Sequence, residues 1–241
     1  MGQVELSFVI PAYNEEESIE DALGTIDEVV KNRKLPYEII VVNDGSKDKT
    51  LPRAITYAGR NGHVKVVSYT PNVGKGYAVK AGFMQTTGEV VVFVDSDMDI
   101  DLGMISSYVD ALENGDIVVA TKWHPDSVVN IPLTRRILSH GFNMLVRILT
   151  GAKLNDTQVG LKVMKKSAFV NIFPRLAVKR YAFDVELLAV ASLYGLKIVE
   201  MPTQLRIRNS FHVKEILHMF VDLLGIAYRL RVLRWYQRAI V

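Results

Sequence analysis

The sequence of 241 residues contains no cysteine, which excludes disulfide bonds, thiolate metal sites and cysteine nucleophiles. It also lacks an uncharged apolar run close to the roughly 18–20 residues that a membrane-spanning helix needs. Residues 1–10 begin polar and run directly into an apolar stretch, without the layout of a signal peptide. We therefore expect a protein that does not cross a membrane.

The sequence also has little excess of charge of either sign, with a formal net charge of only +3. That value is too low to predict a nucleic-acid partner. Residues 211–241 carry five basic and two acidic residues, so this tail accounts for the whole excess. The apolar fraction of 49% and the charged fraction of 23% are typical of a globular protein.

Two periodicities alternate along the first 120 residues. Short runs rich in β-branched residues occupy residues 6–10, 38–42, 64–68, 89–94 and 117–120. Amphipathic stretches separate them at residues 18–31, 48–58, 76–86 and 102–113. This alternation predicts an α/β fold with a Rossmann-like, mostly parallel sheet and helices on both faces.

After residue 120, the regular alternation of apolar runs and amphipathic stretches ends. The pattern there predicts helices at residues 132–150, 167–173 and 184–194, short strands at residues 161–164 and 198–201, and a long helical stretch at residues 211–238. We expect one domain, residues 1–210, followed by an amphipathic helical tail, residues 211–241.

Four of the predicted strands end in polar, turn-forming clusters. These clusters are residues 11–15, 43–46, 71–76 and 95–97. In a parallel sheet, ligands bind beyond the carboxyl ends of the strands. We therefore expect the functional site at this edge of the sheet.

An acidic cluster, Asp95, Asp97, Asp99 and Asp101, follows the fourth predicted strand. Side chains alternate along an extended segment, so Asp95 and Asp97 point to the same side. Two carboxylates so close repel each other unless a cation neutralises them, and Mg²⁺ or Mn²⁺ binds through carboxylates plus substrate phosphates. An EF-hand is excluded because Ile100 stands where its glycine is required. The pattern favours a metal–diphosphate site over a solvated acidic loop.

A loop rich in glycine, residues 72–76, precedes the third predicted helix. The glycines allow close approach of the backbone, and the helix start offers free N–H groups to an anion. Lys75 could reach a phosphate or a carboxylate of the metal site. A plain strand–helix turn explains the glycines equally well.

Three segments together resemble the family 2 glycosyltransferases of GT-A fold. They are residues 8–16 (FVIPAYNEE), 41–48 (VVNDGSKD) and 94–97 (VDSD). The resemblance implies that the nucleotide sugar is bound by Pro11, Ala12, Tyr13, Glu15, Val42, Asp44, Lys75, Asp95 and Ser96. It also implies that Asp95 and Asp97 bind Mg²⁺ or Mn²⁺, with Asp99 as a third ligand.

The second half resembles the dolichyl- and polyprenyl-phosphate sugar synthases. Residues 135–143 (RRILSHGFN) are similar to the arginine–serine–asparagine helix of those enzymes. Residues 156–162 (DTQVGLK) and 183–188 (FDVELL) look closest to the dolichyl-phosphate beta-glucosyltransferase branch. The resemblance departs near residues 209–211, where relatives usually show Gly-Ser-Lys.

The implied reaction moves a hexose from a nucleotide diphosphate sugar to a dolichyl or polyprenyl phosphate, either glucose from UDP-glucose or mannose from GDP-mannose. A phosphate monoester is largely a dianion at neutral pH, so it needs little help from a general base. A metal at Asp97 and Asp99 would stabilise the departing diphosphate, and one in-line displacement would invert the anomeric centre. Two other classes are a sugar-1-phosphate nucleotidyltransferase, which would carry a glycine-rich signature after the first strand, and a non-catalytic nucleotide-sugar binding protein.

The acceptor phosphate requires cations. Arg135 and Ser139 share one helix face, and a guanidinium fits a phosphate. Lys122, Lys162 and Arg206 complete the expected acceptor set. The expected catalytic residues are Asp97, Arg135, Asp156 and Lys162.

Asp156 and Glu186 are acids whose roles the sequence leaves open. Either could orient the arginines on the acceptor side or contact sugar hydroxyls. A purely structural role is equally compatible with the pattern.

The tail suits a lipid substrate. Apolar residues recur along it at helical spacing, and its arginines lie near its end. Basic amphipathic helices with an aromatic anchor, here Trp235, lie in membrane interfaces. We therefore expect a peripheral protein on the cytoplasmic face of a membrane. Packing on the domain, or on a second subunit of a homo-oligomer, is the alternative.

Overall fold

The computed structural model describes residues 5–31, 36–97, 99–206 and 213–238, with the backbone alone for Arg206 and residues 213–216. Residues 209–211, where the family resemblance departs, lie outside this part. The strands are Leu6–Ala12 (β1), Tyr37–Asp44 (β2), Val64–Tyr69 (β3), Val90–Val94 (β4), Ile117–Thr121 (β5), Val128–Asn130 (β6), Leu161–Lys165 (β7), Ile198–Pro202 (β8) and Gln204–Arg206 (β9). The α-helices are Ile19–Lys31 (α1), Thr50–Ala58 (α2), Lys75–Phe83 (α3), Ile105–Ala111 (α4), Leu133–Thr150 (α5), Lys166–Phe169 (α6), Phe183–Leu193 (α7) and Val213–Arg231 (α8).

The main sheet has the strand order β3-β2-β1-β4-β7-β5-β8. Strand β7 is antiparallel to its neighbours β4 and β5, and the other neighbouring pairs are parallel. The predicted mostly parallel sheet is therefore confirmed. Strands β2 and β4 lie on opposite sides of β1, so the chain reverses its direction of winding between β1 and β4. In such sheets the crevice at this reversal, at the carboxyl edge, is where ligands bind.

Helices cover both faces of the sheet. Val9 and Val42 pack on one face with residues of α3, α7 and α8. Phe8 and Val41 pack on the other face with residues of α1, α2 and α4. Successive side chains of a strand point to opposite faces, so strands buried on both faces have nearly continuous apolar sequences.

Two predicted helices are divided. The helix expected at residues 167–173 ends with α6, and a 3₁₀ turn follows at Phe173–Arg175. Pro174 is consistent with the break, because it lacks the N–H that a continuing α-helix would donate to the Val170 carbonyl. The stretch expected as one helix at residues 102–113 is α4 flanked by two 3₁₀ turns.

The tail helix ends earlier than predicted. Helix α8 stops at Arg231, Arg234 adopts a left-handed φ of +48°, and a 3₁₀ turn follows at Trp235–Gln237. This reversal buries Tyr236, whose exposed fraction is 0%. The buried tyrosine finds hydrogen-bond partners in the domain, which a continuing helix would not reach.

Helix α8 packs on α5 and α7. Leu223 and Ile226 lie in the core shared with these helices, and Met219 is also buried. On the other side of the helix, Leu217 and Val221 are exposed. Within the described ranges, no helix has both the length and the apolarity to cross a membrane.

A small two-stranded ribbon of β6 and β9 was not predicted. Leu205 of β9 forms a bridge to Ile100, and the Asp101 amide donates to the Gln204 carbonyl at 3.1 Å. Strand β6 lies directly before α5. The loop after β4 carries Asp95, Asp97, Asp99 and Asp101, and we call it the acidic loop. The ribbon therefore connects the acidic loop to the start of α5.

The close packing of α3 on the sheet generates a testable prediction. A β-carbon on Gly82 would lie 2.3 Å from Val9 Cγ1, whereas one on Gly24 of α1 would meet nothing within 4 Å. We expect Gly82→Ala to lower the free energy of unfolding by about 1–3 kcal/mol through overpacking. Gly24→Ala, the matched control, should raise it by about 0.5–1 kcal/mol through helix propensity. Urea denaturation of both variants checks this, and equal effects would contradict the packing.

Candidate active site

Hydrogen bonds connect the loops after β1 and β2 at the carboxyl edge of the sheet. The Asn14 amide donates to Ser46 Oγ at 3.0 Å, and the Glu15 amide donates to Thr50 Oγ1 at 2.7 Å. This connection holds the end of β1 in place. The expected donor residues here lie side by side, with Pro11 and Ala12 buried and Tyr13 exposed.

Asp44 holds the loop that leads into α3. Its buried carboxylate accepts hydrogen bonds from Asn72 Nδ2, the Val73 amide and the Gly74 amide, each at 2.8 Å. The carboxylate thus fixes the loop against the end of β2. The side chain of Val42 lies in the core, so a ligand could meet this residue only at its backbone.

Four alternating charges form a chain beside this loop. Lys75 Nζ lies 2.7 Å from Asp95 Oδ1 and 3.5 Å from Asp184 Oδ2. Lys162 Nζ lies 2.8 Å from Asp184 Oδ1 and donates to the Val159 carbonyl at 2.8 Å. We call Asp95, Lys75, Asp184 and Lys162 the charge chain.

Within the chain, the charges of Asp184 and Lys75 stabilise each other. Burial by itself would raise the pKa of Asp184, but the ammonium groups of Lys162 and Lys75 hold it below its usual value. Burial would lower the pKa of Lys75, but Asp95 and Asp184 raise it. Asp184 and Lys75 are therefore both charged at neutral pH. Asp184 was not among the site residues expected from the sequence, although an acid within an apolar run could have signalled a buried ion pair.

Gly160 closes the site around Asp95. A β-carbon at this glycine would lie 2.1 Å from Asp95 Oδ2. The Asp95 amide also donates to the Gly160 carbonyl at 3.2 Å. The loop before β7 therefore packs directly on the carboxylate that Lys75 binds.

Glu15 faces the acidic loop from the β1 side. Burial raises the pKa of Glu15, and the negative charges of Asp97 and Asp95 raise it further. Ser18 Oγ donates to Glu15 Oε2 at 2.5 Å, and Ser96 also hydrogen-bonds to this carboxylate. Carboxylates from two different loops thus meet at this edge.

The acidic loop also faces Arg135 at the beginning of α5. Burial lowers the pKa of Arg135, and the charges of Asp99 and Asp97 act in the opposite direction. The Asp99 amide donates to Asp97 Oδ1 at 3.2 Å. The loop and the helix start are therefore electrostatic partners.

The oxygens of this loop suit a divalent cation. In the part of the chain that the structure describes, no three acids or histidines group closely enough to hold an ion by themselves. Mg²⁺ commonly binds through one or two carboxylates and completes its shell with substrate phosphates. Asp97 and Asp99 match that requirement, while Lys75 already engages both oxygens of Asp95.

Lys122 and Asp156 form a buried ion pair at the end of β5. Lys122 Nζ lies 2.9 Å from Asp156 Oδ2, with side chains 8% and 0% exposed. The Lys122 amide donates to the same oxygen at 3.2 Å. Both lysines of the expected acceptor set therefore have a buried carboxylate partner, Asp156 for Lys122 and Asp184 for Lys162.

Aromatic stacking joins this ion pair to α5. The rings of Trp123 and His140 stack with centroids 3.7 Å apart, and the Arg136 guanidinium lies 5.8 Å from the Trp123 ring. Ser139, one turn after Arg135, is partly buried. Arg206 lies opposite Asn130 in the ribbon before α5, with only its backbone described. Nothing in the sequence pattern signalled the Trp123–His140 stack.

Residues 7–173 match the family "Glycosyl transferase family 2". A dolichyl-phosphate beta-glucosyltransferase of Trichomonas vaginalis is 33% identical over 95% of this chain and 76% of its own length. The dolichyl-phosphate beta-glucosyltransferase of Homo sapiens is 32% identical over 82% of this chain and 66% of its own.

A solved structure shows the same fold. Glucosyl-3-phosphoglycerate synthase from Mycobacterium tuberculosis, in complex with Mn²⁺, UDP-glucose and phosphoglyceric acid, has a TM-score of 0.70. The match covers 98% of this chain and 81% of that one at 20% sequence identity. At this identity the likeness supports the fold.

The charge chain predicts a large effect of Asp184→Asn. Removing the carboxylate leaves Lys162, whose side chain is 2% exposed, without its ion-pair partner. Breaking a buried pair in this way should lower the free energy of unfolding by about 3–5 kcal/mol. Lys162→Met added to Asp184→Asn should recover part of that loss, because no unpaired ammonium remains there.

Urea denaturation at neutral pH measures these differences. Asp126→Asn, at an exposed aspartate, serves as the control and should change little. Because the pKa of Asp184 is lowered in the folded protein, its contribution is present above the ordinary aspartate pKa near 4 and fades as pH falls below it. A double variant less stable than Asp184→Asn would contradict the pairing.

Proposed function

This chain belongs to glycosyl transferase family 2, and we propose that it transfers glucose from UDP-glucose to dolichyl or another polyprenyl phosphate. In this proposal the reaction takes place at the cytoplasmic face of a membrane and inverts the anomeric carbon. The observation that carries the proposal is the apposition of the acidic loop at Asp97 and Asp99 with Arg135. The choice of glucose is supported by the similarity to the two beta-glucosyltransferases.

The donor side belongs to the loops at the ends of β1 and β2. Pro11, Ala12 and Tyr13 supply a fixed edge for the nucleotide, and Asp44 holds the neighbouring loop for it. Asp97 and Asp99 would hold a divalent cation, which neutralises charge on the leaving diphosphate. Glu15 and Ser96 orient this loop by hydrogen bonding and charge.

The acceptor side belongs to α5. A phosphate monoester arrives as a dianionic nucleophile, so this chain needs to bind and orient it rather than remove a proton. Arg135 offers the fork geometry that suits a phosphate, and Ser139 follows one turn later on the same helix face. In our proposal, Lys162, Lys122 and Asp156 act as positioning residues, because their charges are already matched in buried pairs. Arg206, which pairs with Asn130 in the ribbon beside α5, completes the proposed acceptor set.

The lipid substrate explains an exposed apolar surface on α5 and α8, which pack against each other. The apolar side chains exposed there include Leu133, Ile137, Leu138, Met144, Ile148, Leu217, Phe220, Val221 and Leu224. The exposed basic residues on these helices include Arg136, Arg147 and Arg231. An apolar face with basic residues on it fits the interface of an anionic membrane. We propose that this surface, the α5–α8 face, rests on the membrane that holds the acceptor.

Turnover tests the reaction. Purified protein would be incubated with Mn²⁺ or Mg²⁺, a short polyprenyl phosphate, and UDP-glucose or GDP-mannose in parallel, with release of nucleotide diphosphate as the readout. We expect lipid-dependent UDP release from UDP-glucose, lowered about 100-fold or more by Asp97→Ala. Asp101→Ala is the matched control, because this exposed acid of the same loop only caps a 3₁₀ turn. Release from GDP-mannose alone would overturn the choice of sugar.

Liposome binding tests the membrane surface. The double variant Met144→Glu/Ile148→Glu places charges on exposed α5 positions away from Arg135 and should weaken binding to anionic vesicles by about 10-fold or more. Ile55→Glu on α2 changes a similarly exposed isoleucine on another helix and should leave binding intact. Equal binding by all variants would contradict the proposed orientation.

A further inference from the structure

Glu186 is a fully buried acid of α7 that joins two distant segments. Its Oε2 accepts hydrogen bonds from the Ala177 amide at 2.9 Å and the Val178 amide at 2.8 Å. Its Oε1 accepts from the Tyr236 hydroxyl and lies 3.4 Å from Arg229 Nη2. One carboxylate therefore links the segment before α7 to the reversed end of the tail.

The segment before α7, residues 176–180, packs against the turn that begins α3. The Lys179 carbonyl accepts from the Tyr77 amide at 3.1 Å. A β-carbon on Gly74 would lie 2.4 Å from the same carbonyl oxygen, so the two backbones are in direct contact. The turn contains Lys75 of the charge chain. We call residues 74–77 the donor turn and residues 176–180 the bridging segment.

Tyr236, at the C-terminal end of this connection, is also held by several hydrogen bonds. Tyr236 is fully buried, and its carbonyl accepts from Tyr194 Oη at 2.7 Å and from Arg175 Nη1 at 2.8 Å. Arg229 Nε donates to the Tyr236 hydroxyl at 3.0 Å. The last turn of the described chain is thus a fixed support for the Glu186 carboxylate.

We propose that Glu186 is a positioning residue through which the C-terminal turn sets the donor turn for the nucleotide. The contacts run from the Tyr236 hydroxyl to Glu186, then to the amides of the bridging segment, and from its Lys179 carbonyl to the donor turn. Within the donor turn, the Gly74 amide donates a hydrogen bond to the Asp44 carboxylate. Affinity for the nucleoside diphosphate therefore depends on a hydroxyl at the other end of the sequence.

This inference rests on the proposed function, since it assumes that the donor turn binds a nucleotide sugar. It goes further by giving Glu186 and Tyr236 a share in donor binding although neither faces the acidic loop. A purely structural clamp would lower the stability of the whole domain and affect both substrates alike. A positioning role should affect the donor selectively.

Two conservative variants test the connection. Tyr236→Phe removes the hydroxyl that donates to Glu186 and keeps the buried ring. Glu186→Gln keeps the side-chain shape but lacks the second acceptor oxygen, so it cannot accept on both sides as the carboxylate does. For each variant, the Kd of UDP in the presence of Mn²⁺ would be measured by calorimetry without lipid. We expect the Kd to rise about 5-fold or more in both variants.

Tyr108→Phe is the matched control. Tyr108 is also fully buried, and its hydroxyl donates to the Pro202 carbonyl at 2.6 Å, so the variant loses a comparable hydrogen bond elsewhere. Its Kd for UDP should stay within about 2-fold of the wild-type value, even though the loss of a buried hydrogen bond lowers stability. In steady-state assays, the KM for UDP-glucose should rise in Tyr236→Phe and the KM for polyprenyl phosphate should not.

The outcomes separate the two proposals. Unchanged UDP affinity in both Tyr236→Phe and Glu186→Gln would overturn the connection while leaving the transferase proposal intact. Equal weakening in Tyr108→Phe would also overturn it, since the effect would then follow stability alone. A wild-type protein that neither binds UDP nor releases it from UDP-glucose would overturn the proposed function and, with it, this inference.

Discussion

The alternation of charge along Asp95, Lys75, Asp184 and Lys162 is the constraint on which the site depends. Each of these groups would be costly to bury alone, because an isolated charge loses its hydration in the interior. Together they connect the end of β4, the start of α3, the first turn of α7 and strand β7. The position of each of these elements therefore depends on the other three. The ion pairs between them fix the shape of the crevice.

A second connection joins the acidic loop to α5. The β6–β9 ribbon attaches the acidic loop to the entrance of α5, and Arg135 faces Asp97 and Asp99 across that junction. The same helix carries part of the exposed apolar side chains of the α5–α8 face. Helix α5 thus presents the Arg135 guanidinium to the acidic loop and apolar side chains to the outside. In the proposed reaction, this arrangement would bring a membrane-bound phosphate to a water-soluble donor without moving the domain.

Much of the architecture was predictable because β1, β2 and β4 are buried on both faces and therefore have unbroken apolar sequences. The polar clusters that end these strands pointed to the carboxyl edge of the sheet, where the structure brings the loops after β1, β2 and β4 together. Three features were not predictable for physical reasons. The direction of β7 leaves no mark in a short apolar run, and Asp184 gains its meaning only from lysines distant in sequence. The reversal at Arg234 uses a left-handed conformation that no glycine signals.

Gly160 has a consequence for how sequence variation in this family should be interpreted. Its backbone does not adopt the left-handed conformation that usually explains a retained glycine, and the residue is only partly buried. The restriction comes instead from the Asp95 carboxylate, which occupies the space of any side chain. Methods that score tolerance from burial or backbone geometry would rate this position as permissive. A saturation library should show the opposite, with alanine already depleted there.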